Sequence, residues 1–153
     1  MNRPNQRIGS TSNAHVGSAF EIKAKKYLDS RFNCNFVKNF ELNVGININN
    51  QRKHKFDLGC SDKKIIVECK SHVWTIGDNV PSAKMTVLRE ALLYFYLTDI
   101  SYTKVLFVKR SFSAKKNETL AQYFVRLNGN LIQNNVIIIE YDEENNTAND
   151  VWP

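Results

Sequence analysis

HKFDLGCSDKKIIVECKSH, residues 54–72, is the stretch whose reading decides the fold. Residues 54–60 and 64–70 each have strand length, and Ser61, Asp62 and Lys63 make a link short enough for a hairpin. The run Ile65-Ile66-Val67 is apolar on both sides of its strand, which predicts a central position in a sheet. Period two then sorts the second strand. Ile66, Glu68 and Lys70 share one face; Ile65, Val67 and Cys69 share the other. An acid and a lysine therefore leave the end of an apolar strand together. If Asp57 lies on the neighbouring antiparallel strand, a second carboxylate converges on them.

Upstream, residues 14–29 carry Val16, Ala19, Phe20, Ala24, Tyr27 and Leu28 at helical spacing. Glu21 borders that face, with Gly17, Ala24 and Leu28 along its own stripe. By itself it reads as a surface partner for Lys25. Residues 36–48 read as a strand, with Leu42, Val44, Ile46 and Ile48 alternating. Downstream, residues 71–81 form a loop. Residues 82–98 form the longest convincing helix, with Ser82 as N-cap and a stripe of Met85, Leu88, Leu92, Phe95 and Tyr96. Residues 102–109 make a further strand. Asn117 caps a helix over residues 118–127, and Val136 to Tyr141 make the last strand. The order, αβββαβ plus a further helix and strand, predicts an α/β fold with a central mixed β-sheet flanked by helices. The domain spans 14–141, preceded by a flexible polar arm over 1–13 that carries Arg3 and Arg7. An acidic, frayed tail follows over 142–153.

The 153 residues carry a formal net charge of +6, unevenly spread. Every Lys and Arg lies at or before Arg126, whereas Asp142, Glu143, Glu144 and Asp150 crowd the end. So basic a body attracts a polyanion, of which nucleic acid is the commonest. Cys34, Cys60 and Cys69 are odd in number and form no CxxC pair, so neither a disulfide nor a structural zinc site is expected. A reducing, cytoplasmic compartment is the default. The N-terminus lacks the apolar run of a signal peptide, and no stretch is long and apolar enough to span a bilayer, so no membrane association is expected.

Asp57 and Glu68 offer hard oxygens for Mg²⁺, with Mn²⁺ as a substitute, and Lys70 can orient a water or stabilise charge at phosphorus. The backbone carbonyl of Cys69, between the two active side chains, is an additional candidate ligand. The bland account of the same residues is a salt bridge at a strand end, since E-x-K triplets are common.

In its order and its motif the block resembles the core of the PD-(D/E)XK nuclease superfamily, the restriction-endonuclease-like fold. In that family a helix bearing a Glu precedes a β-meander whose second strand carries the Asp and whose third carries the (D/E)XK triplet. The resemblance covers roughly residues 14–109. It implies that Asp57, Glu68 and Lys70 are catalytic, and that Glu21, in GSAFE, is the glutamate of the first helix. Phe56 stands where the family name implies Pro. The implied activity is a Mg²⁺-dependent endodeoxyribonuclease acting on DNA. The alternative is a non-catalytic DNA-binding or assembly module on the same fold. An RNA-processing enzyme would be told apart by a 2′-OH requirement. A homodimer matches the two-fold symmetry of duplex DNA, and a monomeric nickase also fits.

Three residues stand as candidate substrate contacts. His72 has the parity to sit at the mouth of the site. Trp74 offers a ring to stack on a base, or a plug for the end of the core. Lys84 begins the long helix, where a phosphate can bind, although exposed helix lysines are mostly just solvated.

Overall fold

The computed structural model describes residues 13–153. The expected N-terminal arm lies outside them except for Asn13, which opens the first helix. The elements are α1 (Asn13–Phe32), β1 (Val37–Val44), β2 (Arg52–Cys60), β3 (Ile65–Lys70), α2 (Ser82–Tyr96), β4 (Thr103–Lys109), β5 (Phe112–Ser113), β6 (Glu118–Thr119), α3 (Leu120–Asn128), β7 (Val136–Asp142) and β8 (Thr147–Trp152). Six of the strands form one mixed sheet in the order β1-β2-β3-β4-β7-β8. The three central strands β3, β4 and β7 are parallel, and the outer pairings are antiparallel. Each parallel step needs a crossover, which α2 and α3 supply.

The sheet separates two apolar layers. On one face α2 and α3 cover Ile66, Leu106, Val108 and Ile138. On the other, α1 lays Phe20, Ala24 and Leu28 over Ile65, Val67, Val105, Phe107 and Ile139. The parity of β3 is thus as its residues predict. The buried stripe of α1 is narrower than its composition suggests, because Val16 remains 42% exposed. The α2 stripe of Met85, Leu88, Ala91, Leu92 and Phe95 is buried, while Tyr96 is exposed.

Several expectations are overturned. β1 ends at Val44, so Ile46 and Ile48 lie in the turn to β2, highly exposed. The Gly45 N–H leaves the strand pattern to bond the Leu97 carbonyl at the end of α2. Ser82 is the first residue of α2 rather than a side-chain cap. Asn117 adopts φ 53 in the turn joining β5 to β6, and Thr119 caps α3 instead. Its hydroxyl accepts from the Gln122 N–H while the Gln122 side chain accepts from the Thr119 N–H, a reciprocal capping box.

The acidic tail is not frayed but forms β8, paired antiparallel with β7. The ladder with β7, the packing of Val151 and Trp152 on the α2–α3 layer, and ion pairs together dock it. Glu143 meets Lys23 at 3.2 Å and Lys109 at 3.0 Å, and Asp150 forms a forked pair with Arg31. The segregation of acid from base along the chain draws the end of the chain onto the basic body. Cys34 and Cys60 are joined as a disulfide, against expectation. The end of α1 and the end of β2 meet on one face of the sheet, so proximity overrules the odd count, and Cys69 is the one left over. No helix among the described residues is long and apolar enough to cross a membrane.

Candidate active site

The β2–β3 ladder runs from Cys60↔Ile65 to Leu58↔Val67 and then stops. At that point β2 turns over. Leu58 packs in the layer under α1, yet Phe56, two residues earlier, packs in the layer under α2. A regular strand would place both on one face. On the other side of β2, Lys38↔Leu58 and Phe40↔Phe56 bracket Asn39, which stands opposite Asp57 with φ 53. Asn tolerates this left-handed backbone better than most residues. Gly59 permits the close approach beside it. A Cβ there would come within 2.2 Å of the Phe40 ring.

The turnover aims Asp57 at β3. Its Oδ2 accepts the Cys69 backbone N–H at 2.7 Å, taking the place of the ladder carbonyl that β2 no longer provides. A strand residue directs its N–H and C=O to the same edge, so the Cys69 carbonyl faces the same gap. The Cys69 side chain points away into the α1 layer, where burial pushes its thiol pKa up.

Lys70 Nζ sits 2.8 Å from Glu68 Oε2 and 3.9 Å from Asp57 Oδ2. One ammonium therefore spans both carboxylates. Glu68 is buried, its side chain 9% exposed, and desolvation raises its pKa against the opposing pull of Lys70. Burial would lower the Lys70 pKa, but Glu68 and Asp57 outweigh it and raise it. Glu21 joins from α1. Its pKa is raised first by burial and then by the Asp57 charge, with Lys38 and Lys70 opposing. The i,i+4 alternative for Glu21 fails, because Lys25 bonds Asp29 at 2.6 Å. Asp57, Glu68 and Lys70 thus meet where β2 leaves β3, and Glu21, on α1, lies within electrostatic reach of Asp57 and Lys70.

The site opens toward α2 in a cleft of about 280 Å³ lined by His54, Lys55, Asp57, Glu68, Lys70, Glu90 and Tyr94, among others. His54, three residues before Asp57, could handle protons by residue type but has no metal-spacing partner in the sequence; the structure puts it in this cleft. Its ring stacks on Tyr94 with centroids 3.7 Å apart, and Nε2 lies 3.4 Å from Glu68 Oε1. Counting parity back from Asp57 puts His54 on the wrong face, because the count assumes a strand that does not turn over.

The three candidate substrate contacts fare differently. His72 is half-buried on the α2 side. Burial, then the charges of Lys84 and Lys70, lower its pKa to about 4, so it is neutral at neutral pH. Lys84 is exposed and lines a groove of about 720 Å³ with His72 and the following loop. Trp74 is buried, its ring 5.2 Å from Tyr123 and edge-on to it. It packs into the layer under α2 and α3, and part of it lines the same groove.

Among the described residues, no group of three or more His, Cys, Asp and Glu side chains is placed to hold a metal ion. The oxygen donors beside the Lys70 ammonium are Asp57 and Glu68, with the Cys69 carbonyl on the same strand edge as the N–H that Asp57 accepts. Such a set suits Mg²⁺, which keeps several waters and takes one or two carboxylates. Comparison with family models, curated proteins and solved structures returned no match for this chain.

Proposed function

We propose that the chain is a Mg²⁺-dependent endodeoxyribonuclease on a restriction-endonuclease-like core of the PD-(D/E)XK type. The observation that carries the reading is Lys70 Nζ held between Glu68 and Asp57 at the point where β2 leaves β3. A strand-end salt bridge alone needs no second carboxylate turned out of its ladder.

Asp57, Glu68 and the Cys69 carbonyl would hold the ion. Bound there, Mg²⁺ would supply Lewis-acid activation of a water and charge neutralisation at phosphorus. The remaining roles fall to side chains in place. Lys70 positions the attacking water or stabilises the pentavalent phosphate. Glu21 adds negative charge beside Asp57, and His54 fixes the orientation of Glu68. The net charge of +6 supports a polyanionic substrate.

The test is relaxation and linearisation of supercoiled plasmid in Mg²⁺ by wild type and Lys70→Ala. The expected loss is roughly 10²–10⁴-fold in rate, typical of removing a positioned acid–base group. Equal cutting by both proteins would sink the assignment of Lys70. Salt-sensitive binding with no nicking under any divalent ion would replace the enzyme with a non-catalytic DNA-binding module.

A further inference from the structure

Only the second half of β2 belongs to the body of the sheet. Its ladder with β3 covers Leu58, Gly59 and Cys60, whereas its ladder with β1 runs on from Phe40↔Phe56 to Val44↔Arg52. Residues 40–56 are therefore a two-stranded ribbon closed by a turn over 45–51, and the ribbon starts where Asp57, Glu68 and Lys70 meet. One of its faces is anchored. Val44 and Phe56 are buried in the layer under α2, and Phe40 and Leu42 pack against that layer. The His54 ring stacks on Tyr94, and the Gly45 N–H bonds the Leu97 carbonyl at 3.1 Å.

Period two turns Glu41, Asn43, Lys53 and Lys55 to the opposite face, where all four are exposed. From residue 42 to residue 56 there is no acid, against Arg52, Lys53 and Lys55. Glu41 is the nearest countercharge, and two ammoniums share it. Lys53 lies 3.6 Å and Lys55 3.7 Å from its oxygens, with side chains 76% and 66% exposed. Lys23 and Lys109, by contrast, hold Glu143 at 3.2 and 3.0 Å. Arg52 forms no ion pair among the described residues. Scattered exposed lysines are ordinarily just solvated. These cations instead sit together on a held ribbon that runs into the site: His54 and Lys55 line its cleft, and Asp57 follows on the same strand.

We infer that the outer face of this ribbon lies in the major groove of duplex DNA, to one side of the cleaved bond. The inference rests on the nuclease reading above and specifies its substrate as a B-form duplex. Charge selects a polyanion. Shape selects its form. Two strands about 4.8 Å apart fit a groove ~12 Å wide, which admits a β-ribbon, whereas the deep, narrow major groove of A-form RNA is closed to it. Asn43 and Lys53 carry the donors and acceptors that adenine and guanine edges match in that groove. Arg52, at the end of the ladder, suits a phosphate. At the rise of a strand it stands roughly 16 Å from Asp57, so the ribbon spans about five base pairs.

The experiment uses the full chain in Ca²⁺, to hold DNA without turnover, and a fluorescein-labelled DNA duplex titrated over a range of salt concentrations. Arg52→Gln/Lys53→Gln is expected to flatten the dependence of log K on log salt by about 2. Lys63→Gln/Lys115→Gln removes the same charge from the β2–β3 and β5–β6 turns and leaves the slope near that of wild type. Glu41→Gln, which frees Lys53 and Lys55, tightens binding. An RNA duplex of the same sequence competes poorly. All five side chains are exposed, so thermal midpoints stay unchanged. Equal flattening by the two double variants would overturn the ribbon, because net charge alone would then account for binding. An unchanged slope in Arg52→Gln/Lys53→Gln, no gain from Glu41→Gln, or RNA competing as well as DNA would overturn it too. Each of these leaves the nuclease reading standing where plasmid is still cut in Mg²⁺. A wild type that neither binds nor cuts DNA overturns both.

Discussion

Replacing Lys70 with methionine keeps the length and apolar stem of the side chain and removes only the charge that lets two carboxylates share one gap. Glu68 is nine-tenths buried at its side chain, and Lys70 is 20% exposed. At 2.8 Å, with an effective dielectric of ~20, their attraction is roughly 6 kcal/mol before any desolvation cost. Methionine also removes the cost of burying the ammonium, which offsets part of that. The expected net loss is about 2–4 kcal/mol at pH 8. The deficit depends on pH through Glu68. Its folded pKa already lies above the ordinary 4.5, and losing Lys70 raises it further. A raised carboxyl stabilises the fold below its unfolded pKa and loses that contribution as pH rises through the folded value. The variant is therefore closest to wild type near pH 4.5 to 5, and the gap widens above. Lys70 itself, with its pKa raised above 10.5, contributes a constant amount over this range. Urea unfolding of both proteins at about pH 5 and pH 8, without divalent ions, reads the difference directly. Equal deficits at the two pH values, or no deficit at pH 8, would refute the coupling between Lys70 and Glu68.

Two further outcomes follow from the frame of the site. Gly59→Ala places a Cβ against the Phe40 ring, so a loss of about 1–3 kcal/mol is expected by thermal unfolding. Plasmid cutting should fall as well, since the shift lies two residues from Asp57; a fully stable, fully active variant would contradict the packing. Deleting residues 143–153 removes β8 and the pairs to Lys23, Lys109 and Arg31. The thermal midpoint should fall by several degrees, whereas a frayed tail would leave it unchanged.

The central strand was legible because its chemistry is local. Ile65-Ile66-Val67 fixes burial on both faces, and period two alone places Glu68 with Lys70. The helices α1 and α2 were legible because their buried stripes recur at helical spacing. What escaped were features set by distant partners. β8 follows a run of acidic and Asn residues, and its docking depends on pairing with β7 and on Ala148, Val151 and Trp152 reaching the core, besides ion pairs to residues remote in sequence. The Cys34–Cys60 pairing depends on the end of α1 meeting the end of β2. Trp74 was ambiguous because an aromatic in a loop can face either way, and only its packing in the layer under α2 and α3 decides.

Phe56 bears on the site more than its departure from proline suggests. It is fully buried, edge-on to His54 at 4.6 Å and stacked with Phe95 of α2 at 6.2 Å. Those contacts hold the first half of β2 against α2, while Leu58 holds the second half against α1. Asp57 is the residue between two anchors on opposite faces, so its backbone must turn over, and its carboxylate is delivered to the Cys69 N–H. An aromatic anchor does this by burial. The same anchor carries His54 into contact with Tyr94 and Glu68. The residue that breaks the expected motif is thus the one that orients two of the groups lining the cleft.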